Sequence, residues 1–293
     1  MADIRYDTFD VAVEGGDLRV GRWMTDPHNP VVLAAHGITA THRCWPAIAE
    51  ALAPDVTFVA PDLRGRGRSA DLPGPYSMRR HADDCVRVLD DIGLEDQAVL
   101  VGHSMGGFVA VASAHAHPER YRHVVLLDGG PALPLPEGLD VDVVLNAVIG
   151  PAMQRLEMTF ESLAAYLDYW RVHPALGEEW NAAVEDYLSY DLVGEEPEMR
   201  ASANIDAVRG DATDSLTGEP PSLKLPVTTT MMRAPRGIMN DEGGLYPLEV
   251  VEPMCAEAGI PLETLPDVNH YSLLWTDRSV DAIADHVRKV LAG

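Results

Sequence analysis

The chain has 293 residues, long for one domain but common for an undivided α/β protein, and its 46% hydrophobic content supports a large buried core. Its 46 acidic against 22 basic side chains give a net charge of −24, a surface that repels nucleic acid and anionic membranes and excludes both as expected partners. No apolar run reaches the roughly 18 residues of a membrane span, and the acidic start MADIRYDTFDVAVEGGD lacks the form of a signal peptide. Three scattered cysteines (Cys44, Cys85, Cys255) without a CxxC read as reduced core thiols of a cytoplasmic protein.

Residues 8–13 and 18–24 flank Glu14-Gly15-Gly16-Asp17 and predict an antiparallel hairpin. Val31–Ala35 is a short apolar run ending at His36-Gly37. Val56–Ala60, Ala98–Val101, Val124–Leu127 and Val227–Met232 share that character, and each predicts a buried strand. Between them, residues 78–92 place Met78, Ala82, Cys85, Val86, Leu89 and Ile92 on one helical face, and Phe108–Ala116 reads as a helix. Ile260–Leu265 is the candidate last strand. The closing helix, 277–291, carries Asp277 and Asp281 early and Arg288 and Lys289 late, as its macrodipole favours. Strands alternating with helices predict an α/β fold with a mostly parallel sheet covered on both faces.

The stretch 131–223 breaks the alternation. It opens on the proline-rich Pro131-Ala132-Leu133-Pro134-Leu135-Pro136, closes on Glu219-Pro220-Pro221, and carries Tyr166, Tyr169, Trp170, Trp180, Tyr187 and Tyr190 among helix formers. It predicts a helical cap inserted into a core domain made of 1–130 and 224–293, above the open strand ends. Its rings either line an apolar substrate site or form the insertion's own core. No internal repeat or low-complexity tract interrupts the chain.

Gly102-His103-Ser104-Met105-Gly106-Gly107 stands between the strand Ala98–Val101 and the following helix, a G-x-S-x-G motif at a strand-to-helix junction. A serine there sits on a sharp, strained turn that lifts its hydroxyl above the sheet, with glycines where side chains would strike the neighbouring strand and helix. The helix N-terminus adds a positive dipole end and free N–H groups beside a developing oxyanion. Together with His36-Gly37 after a strand, Trp45 on the next helix, Asp62-Leu63-Arg64-Gly65-Arg66-Gly67-Arg68-Ser69 and Asn269-His270-Tyr271, the motif resembles the α/β-hydrolase superfamily. Within it the resemblance is to the esterase, lactonase and haloperoxidase-like group with a helical cap, from about residue 10 to the C-terminus.

That resemblance implies an α/β-hydrolase fold with an eight-stranded sheet, Ser104 as nucleophile, and an oxyanion hole from the backbone N–H groups of Ile38 and Met105. It also implies the order serine, acid, histidine along the chain. His270 then fits as the base, in a loop after the final strand and before the last helix. His286 lies inside a helical repeat, and His103 is structural within the elbow. The acid is open between two residues. Asp241 lies in the loop after Val227–Met232, the usual place, but that loop is long and neither Asp241 nor Glu242 falls in register. Asp128, at the tip of Val124–Leu127, points into the same crevice and is favoured.

Gly65-Arg66-Gly67-Arg68-Ser69-Ala70 formally fits a dinucleotide fingerprint, but the loop Asp71-Leu72-Pro73-Gly74-Pro75 follows where a helix is required. Its arginines are expected to brace the loop by hydrogen bonds. HExxH is absent, and His115 with His117 is a poor metal pair. A serine at the elbow argues against epoxide hydrolases and haloalkane dehalogenases, which use a carboxylate. The reading is hydrolysis of an ester or lactone of an apolar small molecule through an acyl-enzyme, with no cofactor or metal. Carbon–carbon cleavage by the same triad, or ligand binding on a hydrolase scaffold, are the alternatives.

Overall fold

The structure, a computed structural model, describes residues 4–132, 141–217 and 222–293. The predicted hairpin forms from β1 (Arg5–Val13) and β2 (Gly16–Met24). Its turn tightens to Glu14-Gly15 because Val13 and Gly16 still pair. Then follow β3 (Val31–Ala35), α1 (Pro46–Leu52), β4 (Thr57–Pro61), α2 (Met78–Asp91), β5 (Ala98–His103), α3 (Met105–Ala116) and β6 (Tyr121–Leu127). A largely helical stretch comes next, with α4 (Val141–Leu156), α5 (Leu163–Arg171), α6 (Ala182–Asp191), the two-residue strands β7 (Leu192–Val193) and β8 (Arg200–Ala201), and α7 (Ile205–Thr217). The chain finishes with β9 (Thr229–Arg233), α8 (Leu248–Ala258), β10 (Leu262–Thr264) and α9 (Asp277–Ala292). Residues 133–136 and 219–221, part of the proline-rich ends of the predicted insertion, lie outside the described residues.

Eight strands make one sheet in the order β1-β2-β4-β3-β5-β6-β9-β10. The hairpin joins antiparallel through β2 and β4, and every pairing from β4 to β10 is parallel. The central strands read as unbroken apolar runs because both faces are covered. Val32, Ala34, Val99 and Val101 point to the layer of α1 and α9, while Leu33, Ala35 and Leu100 point to the layer of α2, α3 and α8. Cys44 belongs to the first layer and Cys85 and Cys255 to the second, and all three are free thiols. Trp45, expected on α1, is its N-cap residue, fully buried under the first layer. Among the described residues no helix is long and apolar enough to cross a membrane.

The stretch between β6 and β9 has its own polar tie. Arg155 donates to the Tyr166 hydroxyl at 2.9 Å and to Asp191, whose carboxylate also accepts from the Tyr166 hydroxyl at 2.5 Å and Ser202 Oγ at 2.8 Å. Tyr166, Trp170 and Tyr187 are buried in the hydrophobic cluster rather than lining an opening.

Candidate active site

Three neighbouring strands stop at one level. Ala35 pairs with Gly102 and His103 with Leu127, so the residues after β3, β5 and β6 emerge side by side at the carboxyl edge of the sheet. In open α/β sheets ligands bind at that edge. The emerging residues are His36-Gly37-Ile38, Ser104 and Asp128.

Ser104 is the single residue between β5 and α3, with φ 55° and ψ −123°, a region non-glycine residues hold only when the surroundings impose it. Its N–H donates to Leu127 O at 3.0 Å, and its carbonyl accepts the Gly107 N–H at 2.9 Å. Gly106 cannot be replaced, because a side chain there would strike the Ala35 carbonyl. The helix expected from Phe108 therefore begins at Met105. Gly106 and Gly107 are there for close approach and do not break it.

Asp128 is fully buried at φ 45°. Its N–H donates to Met232 O at 2.8 Å, and its Oδ1 accepts the Ala234 N–H at 3.1 Å. Oδ2 accepts the His270 Nδ1–H at 2.7 Å. His270 lies in the loop between β10 and α9 and is held from two sides. Its carbonyl accepts His103 Nε2–H at 2.8 Å, with the two rings 4.7 Å apart. Asn269 Oδ1 accepts the N–H groups of Tyr271 and Ser272, and its Nδ2 donates to Ala175 O at 3.0 Å. Burial, reinforced by the neighbouring His270, pushes the His103 pKa well below the usual range, so it serves as a neutral donor. Asp241 stays apart on the exposed surface, accepting the Met239 N–H within its own turn.

Among the described residues, His270 Nε2 and Ser104 Oγ are both left without a hydrogen-bond partner. The same holds for the N–H groups of Ile38 and Met105. The loop bearing Ile38 comes close against the serine at Gly37, where a Cβ would lie a tight 3.3 Å from Ser104 Cβ. His36 fixes the loop, donating from Nδ1 to Gly37 O at 2.8 Å and accepting the Leu63 N–H on Nε2 at 2.9 Å. Burial lowers its pKa to about 3, which keeps it neutral. The Ile38 side chain packs on an apolar group that includes Leu156, Val208 and Ala212.

Sequence reasoning missed the reach of His103 to His270 and the partners of the arginines after β4. Arg64 forks onto Asp84 at 2.9 Å and donates to Pro73 O. Arg66 meets Ile38 O and Asp211. Three arginines inside a glycine-rich run of an acidic chain was the available signal, and it pointed to braces without naming the carboxylates. Among the described residues no cluster of His, Cys, Asp or Glu is arranged to hold a metal ion. His115 and His117 engage Ser222 O and Asp83 instead.

A family model described as "Alpha/beta hydrolase family" matches residues 31–286. Lipase LipV of Mycobacterium tuberculosis is 38% identical over 134 residues, covering 45% of this chain and 48% of the lipase. 2-Hydroxymuconate semialdehyde hydrolase of Pseudomonas sp. (strain CF600) is 42% identical over 108 residues, 36% of this chain and 37% of that one. The chain thus spans about half, or less, of these curated relatives. The crystal structure of E-2-(acetamidomethylene)succinate hydrolase superposes with a TM-score of 0.77 over 99% of this chain and 100% of that one, at 19% identity, a likeness of fold.

Proposed function

The chain belongs to the alpha/beta hydrolase family, and on that premise we propose that it is a serine hydrolase cleaving ester or lactone bonds of a small apolar molecule through an acyl-enzyme. The observation that carries this reading is the Asp128–His270 hydrogen bond beside the Ser104 elbow, with the far ring nitrogen uncommitted. His270 Nε2 takes the proton of Ser104 Oγ as the oxygen attacks the carbonyl carbon, then returns it to the leaving alcohol. A water molecule, deprotonated by the same nitrogen, releases the acid. Asp128 holds the imidazole in the tautomer with Nδ1 protonated, and the N–H groups of Ile38 and Met105 receive the oxyanion. Loss of one such donor costs about 2.7–4 kcal/mol of transition-state stabilisation.

The stretch from 131 to 223 serves in this reading as a cap over the crevice. Its apolar group at Leu156 and Val208 against Ile38 favours an apolar acyl or alkoxy portion, and the lipase relative supports ester chemistry. Carbon–carbon hydrolysis next to a carbonyl is the second reading, favoured by the likeness to 2-hydroxymuconate semialdehyde hydrolase. Three free thiols in the core fit the reducing cytoplasm. The test is hydrolysis of p-nitrophenyl esters of increasing acyl length by wild type and Ser104→Ala, with fluorophosphonate labelling alongside. Turnover and labelling that both vanish in Ser104→Ala support the reading. No turnover by wild type on any ester, with Ser104 labelled, moves carbon–carbon cleavage ahead; an unlabelled Ser104 points to ligand binding.

A further inference from the structure

One side chain touches both residues whose N–H groups, on the reading above, would receive the oxyanion. Arg66 donates from Nε to Ile38 O at 2.9 Å, its Nη2 lies 3.7 Å from Met105 Sδ, and its Nη1 donates to Arg64 O at 2.9 Å and to Asp211. Arg66 and Asp211 are both fully buried. Asp211 Oδ2 also accepts His81 Nε2–H at 2.9 Å. Asp211 belongs to α7, so the anchor of this guanidinium comes from the stretch between β6 and β9.

Peptide geometry gives these contacts a consequence. A peptide unit is planar and trans, so the hold of His36 on Gly37 O directs the Ile38 N–H to the opposite side. Arg66 grips the next carbonyl, that of Ile38, and so fixes the following plane. Ile38 stands between two immobilised peptide planes. A guanidinium offers donors in a rigid fork, which a lysine ammonium cannot reproduce.

Resting on the reading of Ser104 as an acylated nucleophile, we propose that Arg66, clamped by Asp211, is the positioning residue of the oxyanion hole. It sets the Ile38 N–H for the tetrahedral oxyanion, beside the Met105 N–H that α3 itself holds, without touching substrate. Asp211 neutralises its charge, so the contribution is alignment.

The experiment compares wild type, Arg66→Met, Arg66→Lys and Asp211→Asn with p-nitrophenyl butyrate, active sites being counted by fluorophosphonate titration. In both Arg66 variants kcat per site falls about 10²-fold while KM stays within about twofold, and Asp211→Asn loses about tenfold. An alkyl trifluoromethyl ketone, which forms a tetrahedral oxyanion on the serine, binds more weakly by a similar factor, whereas the matching unreactive carbinol binds as to wild type. A merely structural brace would lower the number of active sites and leave kcat per site unchanged. If Arg66→Met does not fold, Arg66→Lys and Asp211→Asn decide. Wild-type kcat per site in folded Arg66→Lys, or equal loss of ketone and carbinol, overturns the proposal. If wild type turns over no ester and binds no ketone, the hydrolase reading fails. Hydrogen exchange of residues 36–41 then still tests the clamp, which is overturned if Arg66→Lys leaves that exchange unchanged.

Discussion

Two histidines of this chain donate from Nδ1 to a fully buried aspartate at 2.7 Å, His270 to Asp128 and His42 to Asp62. In residue type, distance and burial the pairs are alike. They part at the other atoms. The Tyr6 hydroxyl closes His42 Nε2 at 2.9 Å, while Asp62 Oδ2 accepts from the Tyr190 hydroxyl at 2.7 Å and from the Arg68 N–H at 2.8 Å. Every strong site of that pair is filled. Among the described residues, His270 Nε2 meets no hydrogen-bond partner beside the elbow. An Asp–His hydrogen bond alone is therefore not a mark of a catalytic pair; the two pairs differ in what meets the second ring nitrogen.

The comparison breaks first on activity. On the proposed esterase reading, Asp128→Asn is expected to lower kcat on a p-nitrophenyl ester by about 10⁴-fold, because the imidazole would lose its required tautomer, and Asp241→Asn to stay within about twofold. Equal effects from the two would remove Asp128 from the machinery. Stability gives the opposite ranking. Asp62→Asn leaves kcat per folded molecule within about threefold but costs about 3–5 kcal/mol in urea unfolding, since one partner of a buried pair is removed. Loss of turnover without loss of stability would make the Asp62 pair more than a brace.

Acid sharpens the contrast with a smaller effect. Burial would raise the Asp62 carboxyl, but the charge and hydrogen bond of His42, with the N–H groups of Arg68 and His42, hold it at about 2. Its stabilisation is complete above its ordinary 3.8 and is lost as pH falls from there through about 2. His36 and His103 behave oppositely, since burial keeps both neutral in the fold. Below 6.5 the unfolded chain takes up protons that the folded chain refuses, so each histidine makes stability fall as the pH drops. For His36 the loss levels off near pH 3. Unfolding free energies at pH 7, 6, 5 and 4 check this, and a flat profile from 6.5 to 4.5 contradicts it.

The strands and the elbow were legible because both are local signals, apolar runs bounded by turn residues and a glycine-flanked serine between a strand and a helix. The choice between Asp128 and Asp241 was not local. It depends on the tip of β6 being held by Met232 O and Ala234 N–H, within reach of a loop 142 residues further on. α3 starts at Met105, three residues before the expected Phe108, because the helix runs through Gly106, which answers to the Ala35 carbonyl. Partners such as Arg66 and Asp211, 145 residues apart, leave no trace in periodicity. The rings of residues 166–190 read equally as lining or core, and burial assigned Tyr166, Trp170 and Tyr187 to the core.

By connectivity the stretch between β6 and β9 is a cassette, entering and leaving through two adjacent strands. Its polar ties make it a poor one to exchange. Tyr190 donates to Asp62, Asp211 pairs with Arg66, and Ala175 O accepts from Asn269. A foreign stretch grafted here without matching groups would strand Arg66 as an uncompensated buried charge. Recombination among relatives should therefore carry the stretch together with residues 62, 66 and 269, and those three positions should be inherited with it as one linked unit.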